Sequence, residues 1–304
     1  MTQTREPDAI AVAPVRRPRR GRWAHRLVPV VSILLGIAVL GYPLVGTYYN
    51  DYNQFLFSRG YAASVSETAP SALQETLDRA HRYNDALPAT LLADPWTRES
   101  SADDAARTDY LSQLADFDVM ARVRVPSIGV DLPVLHGTSD DTLARGIGHL
   151  YGSSLPVGGP GTHAVLTGHS SFADATLFDK LPEVAVGDVV YIDVYGQTLA
   201  YRVDTTTVVL PDDLSTLTRT PGVDAVTLVT CTPRSINSHR LLVHALRIPY
   251  HPQDDPHPEP AMDWSLRTWM YPRAIAMGVA TLILVAMLVG WMLGDRRRRV
   301  GEER

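Results

Sequence analysis

The sequence predicts a mainly β fold, a closed antiparallel barrel, preceded by a helical subdomain and flanked by two membrane helices. Three patterns carry this expectation. Short runs rich in Val, Thr and Tyr alternate apolar and polar residues from about residue 119 and are punctuated by Gly and Pro turns. Before them, SALQETLDRAHRYNDAL places Leu73, Leu77, Ala80 and Tyr83 at helical spacing. Outside both lie residues 27–46 and 274–293, each 20 residues long and without charge. At about 1.5 Å rise per residue, such a helix matches a hydrocarbon core of roughly 30 Å.

In chain order, residues 1–26 form a basic tail, with seven arginines against Glu6 and Asp8, a net charge of +5. The apolar run of 27–46 is longer than a signal-peptide core, and YYNDYNQF follows it without a small-residue cleavage pattern. It therefore reads as an uncleaved anchor. Residues 47–118 form the helical subdomain, where Ser101 and Asp104 offer a capping-box start to its later helix. Residues 119–248 form the barrel, with candidate strands in MARVRVPSIGVDLPVLHG, THAVLTGHS, DAVTLVTC and HRLLVHALRI. GDVVYIDVYGQTLAYRVDTTTVVL is a hairpin turning at Tyr195–Gly196–Gln197. Residues 249–273, opening with the acidic, Pro-rich PYHPQDDPHPEPAM, form a spacer and juxtamembrane segment. After the second span of 274–293, residues 294–304 carry Arg296 to Arg299 and a net +2.

Charge sets the expected topology. The whole chain is −5, so the segment between the spans carries about −12. Arg-rich flanks stay cytoplasmic, which places both termini inside and residues 47–273 outside. An acidic ectodomain argues against nucleic acid as partner.

Cys231 is the single cysteine. In an oxidising compartment paired cysteines are structural, but a lone one cannot close an intrachain disulfide. It can be a buried small hydrophobe, an intermolecular link or a nucleophile. Catalysis by a thiolate needs a nearby acid or base and a donor for a developing oxyanion. Cys231 ends an apolar strand, and Arg240 begins the next one nine residues later. If those strands pair, the two side chains face each other at one sheet end, where a guanidinium can hydrogen-bond a substrate carbonyl. For the acid/base, His169 directly follows the strand AVLTG, while His136, His149, His163, His239 and His244 stay open by spacing. His25 falls in the cytoplasmic tail, and His251 and His257 in the spacer. No HxH, HExxH or CxxC pattern suggests a metal.

At these residues the sequence resembles the sortase family. TLVTC at 227–231 with TPRSINSHRLLV is similar to the family's TLxTC signature and its following arginine, and GHLYGSSLPVGGPGTHAVLTGHS at 148–170 to the segment carrying its histidine. ARVRVPSIGVDLPVLHGTS resembles its first barrel strands, so the likeness covers about residues 42–250. The resemblance implies Cys231 as nucleophile, His169 as general acid/base and Arg240 as oxyanion donor, with no cofactor. It implies transpeptidation at an LPxTG-like signal in a Gram-positive cell membrane. The second membrane helix and Asp94–Pro95–Trp96 resemble class C, the pilus-polymerising branch, in which an Asp-Pro-aromatic lid covers the site. That implies Asp94 paired with Arg240, Trp96 over Cys231, pilin and surface-protein substrates, and a pilin lysine as acyl acceptor. Two departures bear on specificity: Ser170 to Ala173 stand where the branch often has Arg-Gly-Leu-Pro, and Arg234 where an aromatic is common. The alternatives are a housekeeping sortase that attaches proteins to peptidoglycan, a peptidase that only hydrolyses, and a catalytically inactive surface scaffold. A disulfide enzyme is disfavoured for want of a resolving cysteine.

Overall fold

The computed structural model describes residues 21–88, 104–170, 175–213, 215–256 and 270–302. Contacts divide the chain into two units: residues 43–266, and a unit of the two terminal segments, 1–42 with 267–304.

In the terminal unit, the first half of helix α1 (Gly21–Glu67) and helix α5 (Met270–Glu302) carry the apolar stretches. Both helices are long and apolar enough to cross a membrane. They meet where the Arg26 guanidinium lies 5.7 Å from the Trp291 ring centroid. Helix α1 does not stop with its apolar run but continues some 20 residues to Glu67. The continuation is amphipathic with a polar twist: Thr47, Gln54 and Ser58 are buried together with Tyr61.

The larger unit is built on eight strands: β1 (Ala121–Val125), β2 (Val130–His136), β3 (Ile147–His149), β4 (Thr162–Thr167), β5 (Val189–Val194), β6 (Gln197–Val209), β7 (Asp224–Thr232) and β8 (His239–Ile248). They close into a barrel in the order β1-β2-β3-β4-β7-β8-β6-β5. Closure leaves no sheet edge to be shielded. Six pairings are antiparallel, while β2 with β3 and β4 with β7 run parallel. Parallel neighbours need a crossover. The short helix α4 (Asp140–Arg145), capped by the Ser139 side chain on the Thr142 N–H, makes the first. The β5–β6 hairpin and its flanking loops make the second. The expected turn closes that hairpin with Tyr195 and Gly196 both at positive φ, 45° and 81°. Positive φ at both central residues matches the right-handed twist of the strands it joins.

Helix α2 (Pro70–Ala86) starts on a proline at its first position, where no intrahelical N–H is needed. Its face of Leu73, Leu77 and Ala80 is buried as the spacing predicts, and Asn84 replaces backbone pairing by bonding both the N–H and the C=O of Leu155. Tyr110, on helix α3 (Asp104–Ser112), buries its ring and bonds the Gly137 N–H and the ring and carbonyl of His149. These helices share one apolar core with the barrel.

Strand alternation predicts Arg122 and Arg124 facing water, yet both are 2% exposed. Buried guanidinium groups need carboxylate partners. Arg122 makes two bonds to Asp131, and Arg124 binds both oxygens of Asp193 and of Asp255. Asp255 follows β8 by seven residues, so the start of the acidic, proline-rich stretch is held against the barrel.

Candidate active site

Cys231 lies near the end of β7, and its cross-strand partner on β8 is Arg240. Directly opposed residues of an antiparallel pair hold their Cβ atoms about 4.5–5.5 Å apart on one face. The expected Cys231–Arg240 juxtaposition is therefore in place, with both residues nearly buried. Arg240 Nη1 donates to the carbonyls of Asn237 and His239, each at 3.2 Å. The β7–β8 turn supplies those acceptors by a sharp reversal, with Ser235 and Asn237 at positive φ and the Asn237 N–H bonded to the Pro233 carbonyl.

His169 arrives from the other side of β7. The parallel register of β4 and β7 pairs Thr167 with Val229. Pairing persists one step beyond β4, through Gly168 N–H to the Val229 carbonyl (3.0 Å) and Thr230 Oγ1 to the Gly168 carbonyl (2.7 Å). His169 thus follows in step beside Cys231 at the same end of the barrel. Gly168 is required there, because a Cβ would fall 2.5 Å from Ile147 Cδ1 and 2.7 Å from the Phe178 ring. Burial pulls the His169 imidazole below its ordinary pKa, and the nearby Asp140 carboxylate, in the first turn of α4, opposes that shift.

The other histidines that spacing left open serve the framework. His149 is fully buried between Tyr110 and the Ser154 carbonyl, and burial pushes its pKa to about 4. His163 bonds Thr227 Oγ1 and the Thr218 carbonyl and is likewise pushed to about 4. His136 bonds the Gln113 carbonyl, His239 the Ser238 hydroxyl, and His244 the Asp204 carboxylate. Among the described residues no group of His, Cys, Asp and Glu side chains could hold a metal.

The two departures from the family pattern acquire partners. Ser170 Oγ donates to the Cys231 carbonyl, and Arg234 on the β7–β8 turn bonds the nearly buried Asp179 carboxylate at 2.9 Å. Both contacts join the loop after His169 to the segment that presents Cys231. Sequence reasoning singled out both positions, but nothing in their spacing announced these partners. Asp94, Pro95 and Trp96, with the expected lid, lie outside the described residues, as do Ser101 and residues 171–173.

A thiol and a guanidinium opposed across two strands, with an imidazole entering from a third, define a barrel suited to thiol-based acyl transfer. The Sortase domain profile matches residues 123–248, spanning β1 to the end of β8. Sortase C-1 from Actinomyces oris is 47% identical, with a TM-score of 0.57 over 59% of this chain and 99% of that one. Sortase C of Streptococcus pneumoniae is 38% identical, with a TM-score of 0.58 over 63% and 95%. Sortase A from Corynebacterium diphtheriae is 41% identical, with a TM-score of 0.60 over 72% and 97%. The chain belongs to the sortase family of cysteine transpeptidases, and its structural neighbours include class C sortases.

Proposed function

We propose that this protein is a class C-like sortase that builds covalent pili from subunits bearing an LPxTG-like signal. The observation that carries the chemistry is the register of β7 with β8, which opposes Cys231 to Arg240 while β4 delivers His169 alongside. In this reading the Cys231 thiolate adds to the Thr carbonyl carbon of the signal, and Arg240 donates to the oxygen as it gains charge. The Thr–Gly C–N bond then breaks, the departing Gly amine takes a proton from His169, and the acyl group rests on Cys231 as a thioester. An acceptor amine adds to that thioester, gives a proton to His169, and expels the thiolate as the amide forms.

The pilin assignment draws on the likeness to enzymes named sortase C, of which that of Streptococcus pneumoniae acts with pilin substrate specificity. It also draws on the second candidate membrane helix and on the Asp94–Pro95–Trp96 motif. The arginine-rich flanks support a two-pass arrangement with both termini inside and the barrel outside.

The test is a reaction of the purified full-length protein with an LPxTG-bearing pilin, offered a pilin lysine and a peptidoglycan stem peptide in competition. The expected product is a ladder of isopeptide-linked pilins with a thioester at Cys231. Cys231→Ala is expected to abolish both without unfolding the barrel. Exclusive transfer to the stem peptide would replace pilus assembly by the housekeeping activity.

A further inference from the structure

We propose that Asp51, on the second half of α1 beyond its apolar run, is a positioning residue for His169 that acts through Thr176; this rests on the reading of His169 as the acid/base. Asp51 Oδ1 accepts the Thr176 N–H at 2.9 Å and Oδ2 accepts the Thr176 hydroxyl at 2.6 Å. The two residues are 125 positions apart in the chain, and both carboxylate oxygens converge on one residue. Such charge-assisted bonds to an ionised acceptor are shorter and stronger than neutral ones.

Thr176 is two residues from the bond that closes the loop of His169, the Phe178 N–H to the His169 carbonyl at 3.0 Å. Between them stands Leu177, 1% exposed and at φ 41°. A branched side chain is strained in that left-handed region, and such residues persist where their surroundings over-determine them. Here the surroundings are the Asp51 carboxylate on one side and, on the other, the Phe178 ring wedged against Gly168. Releasing Thr176 lets Leu177 relax, and the relaxation passes through Phe178 to the carbonyl of His169.

Two further ties of this loop run to the β7 side of the cleft, from Ser170 to the Cys231 carbonyl and from Asp179 to Arg234. Asp51 ties it instead to α1, whose buried Thr47, Gln54 and Ser58 continue the same docked side of the helix. The acid/base is thereby registered to the second half of α1, as well as to the nucleophile.

The experiment measures kcat and KM of the full-length protein in detergent on an LPxTG-type peptide, together with thermal unfolding. The variants are Asp51→Ala, Asp51→Asn, Thr176→Val, Asp51→Ala with Thr176→Val, and His169→Ala as control. Misplacing a catalytic group by about 1 Å can cost up to about a hundredfold, so Asp51→Ala should lower kcat by about tenfold or more with KM within about twofold. Thr176→Val should lower kcat in the same way, and the double variant should be no worse than Asp51→Ala alone. Asp51→Asn, which keeps the volume and one acceptor, should fall between; it carries the test if Asp51→Ala does not fold. Parent-like kcat in Asp51→Ala and Asp51→Asn while His169→Ala is inactive would overturn the role of Asp51 alone. So would losses in Asp51→Ala and Thr176→Val that simply multiply. An active His169→Ala would remove the reading beneath the proposal, and the proposal with it.

Discussion

Arg240 is nearly buried, and its Nη1 donates to two backbone carbonyls of its own turn, Asn237 and His239. Those bonds hold one edge of the planar fork, so the β7–β8 turn orients the guanidinium on the strand position opposite Cys231. A lysine at this position brings a positive charge but neither the fork nor the geometry to hold it. Loss of one oxyanion donor costs about 10²–10³ in rate. Arg240→Ala is therefore expected to lose at least that much in kcat, and Arg240→Lys to recover little of it. Steady-state kinetics on an LPxTG-type peptide check this; near-parent kcat in Arg240→Lys would reduce Arg240 to a charge partner.

Between elements, the decisive relation is the parallel pairing of β4 with β7. The Cys231–Arg240 pair was legible in the sequence because one short turn separates them, so register follows from turn length. The neighbouring of His169 and Cys231 was legible only through the family resemblance, since 56 residues with an intervening hairpin separate β4 from β7 and hydropathy carries no pairing information. The same limit hid the far half of α1, whose buried Thr47, Gln54 and Ser58 look like a solvated stretch by composition. Arg122 and Arg124 misled alternation because their carboxylate partners lie on other elements: Asp131 on the adjacent β2, Asp193 on β5 and Asp255 beyond β8. Helix spacing served well for Leu73, Leu77 and Ala80, where burial follows period alone. One expectation at this scale remains a proposal, that Asp94 and Trp96 form a lid competing with substrate for Arg240 and Cys231. An exposed charge pair is worth about 1 kcal/mol or less, and a covered indole about as much again. A total near 2 kcal/mol is roughly a thirtyfold population shift. Asp94→Ala with Trp96→Ala should accordingly speed alkylation of Cys231 by a small thiol reagent by tens of fold in stopped flow. Unchanged labelling would make the motif an ordinary loop.

At the scale of the whole molecule, the barrel holds two imidazoles almost out of reach of water, and this ties its stability to pH. His149 is 0% exposed and His163 is 3% exposed. Burial pushes both to about 4, from an unfolded value near 6.5. For each, a hydrogen bond to a backbone carbonyl, of Ser154 for His149 and of Thr218 for His163, pulls the other way without overcoming desolvation. A depressed folded pKa means that the unfolded chain binds the proton first as pH falls. The contribution is therefore whole above pH 6.5, shrinks through the window from about 6.5 to about 4, and is lost once the folded groups protonate. At pH 5 each histidine costs the folded state about 2 kcal/mol relative to neutral pH. The two sites sit in different parts of the barrel, one against Tyr110 and the other against Thr227 and His244, so their effects should add approximately. Urea unfolding of the detergent-solubilised protein, followed by the near-ultraviolet signal of its buried tyrosines, is expected to show stability falling by about 3–4 kcal/mol between pH 7.5 and pH 5. His163→Gln lowers stability at neutral pH by disturbing the bonds to Thr227 and Thr218, but the informative quantity is the slope, which should become shallower because one of the strongly depressed sites is gone while His149, His136 and His169 remain. A slope unchanged by His163→Gln would mean that His163 takes up its proton in the folded barrel as readily as in the unfolded chain, against the burial that defines its site.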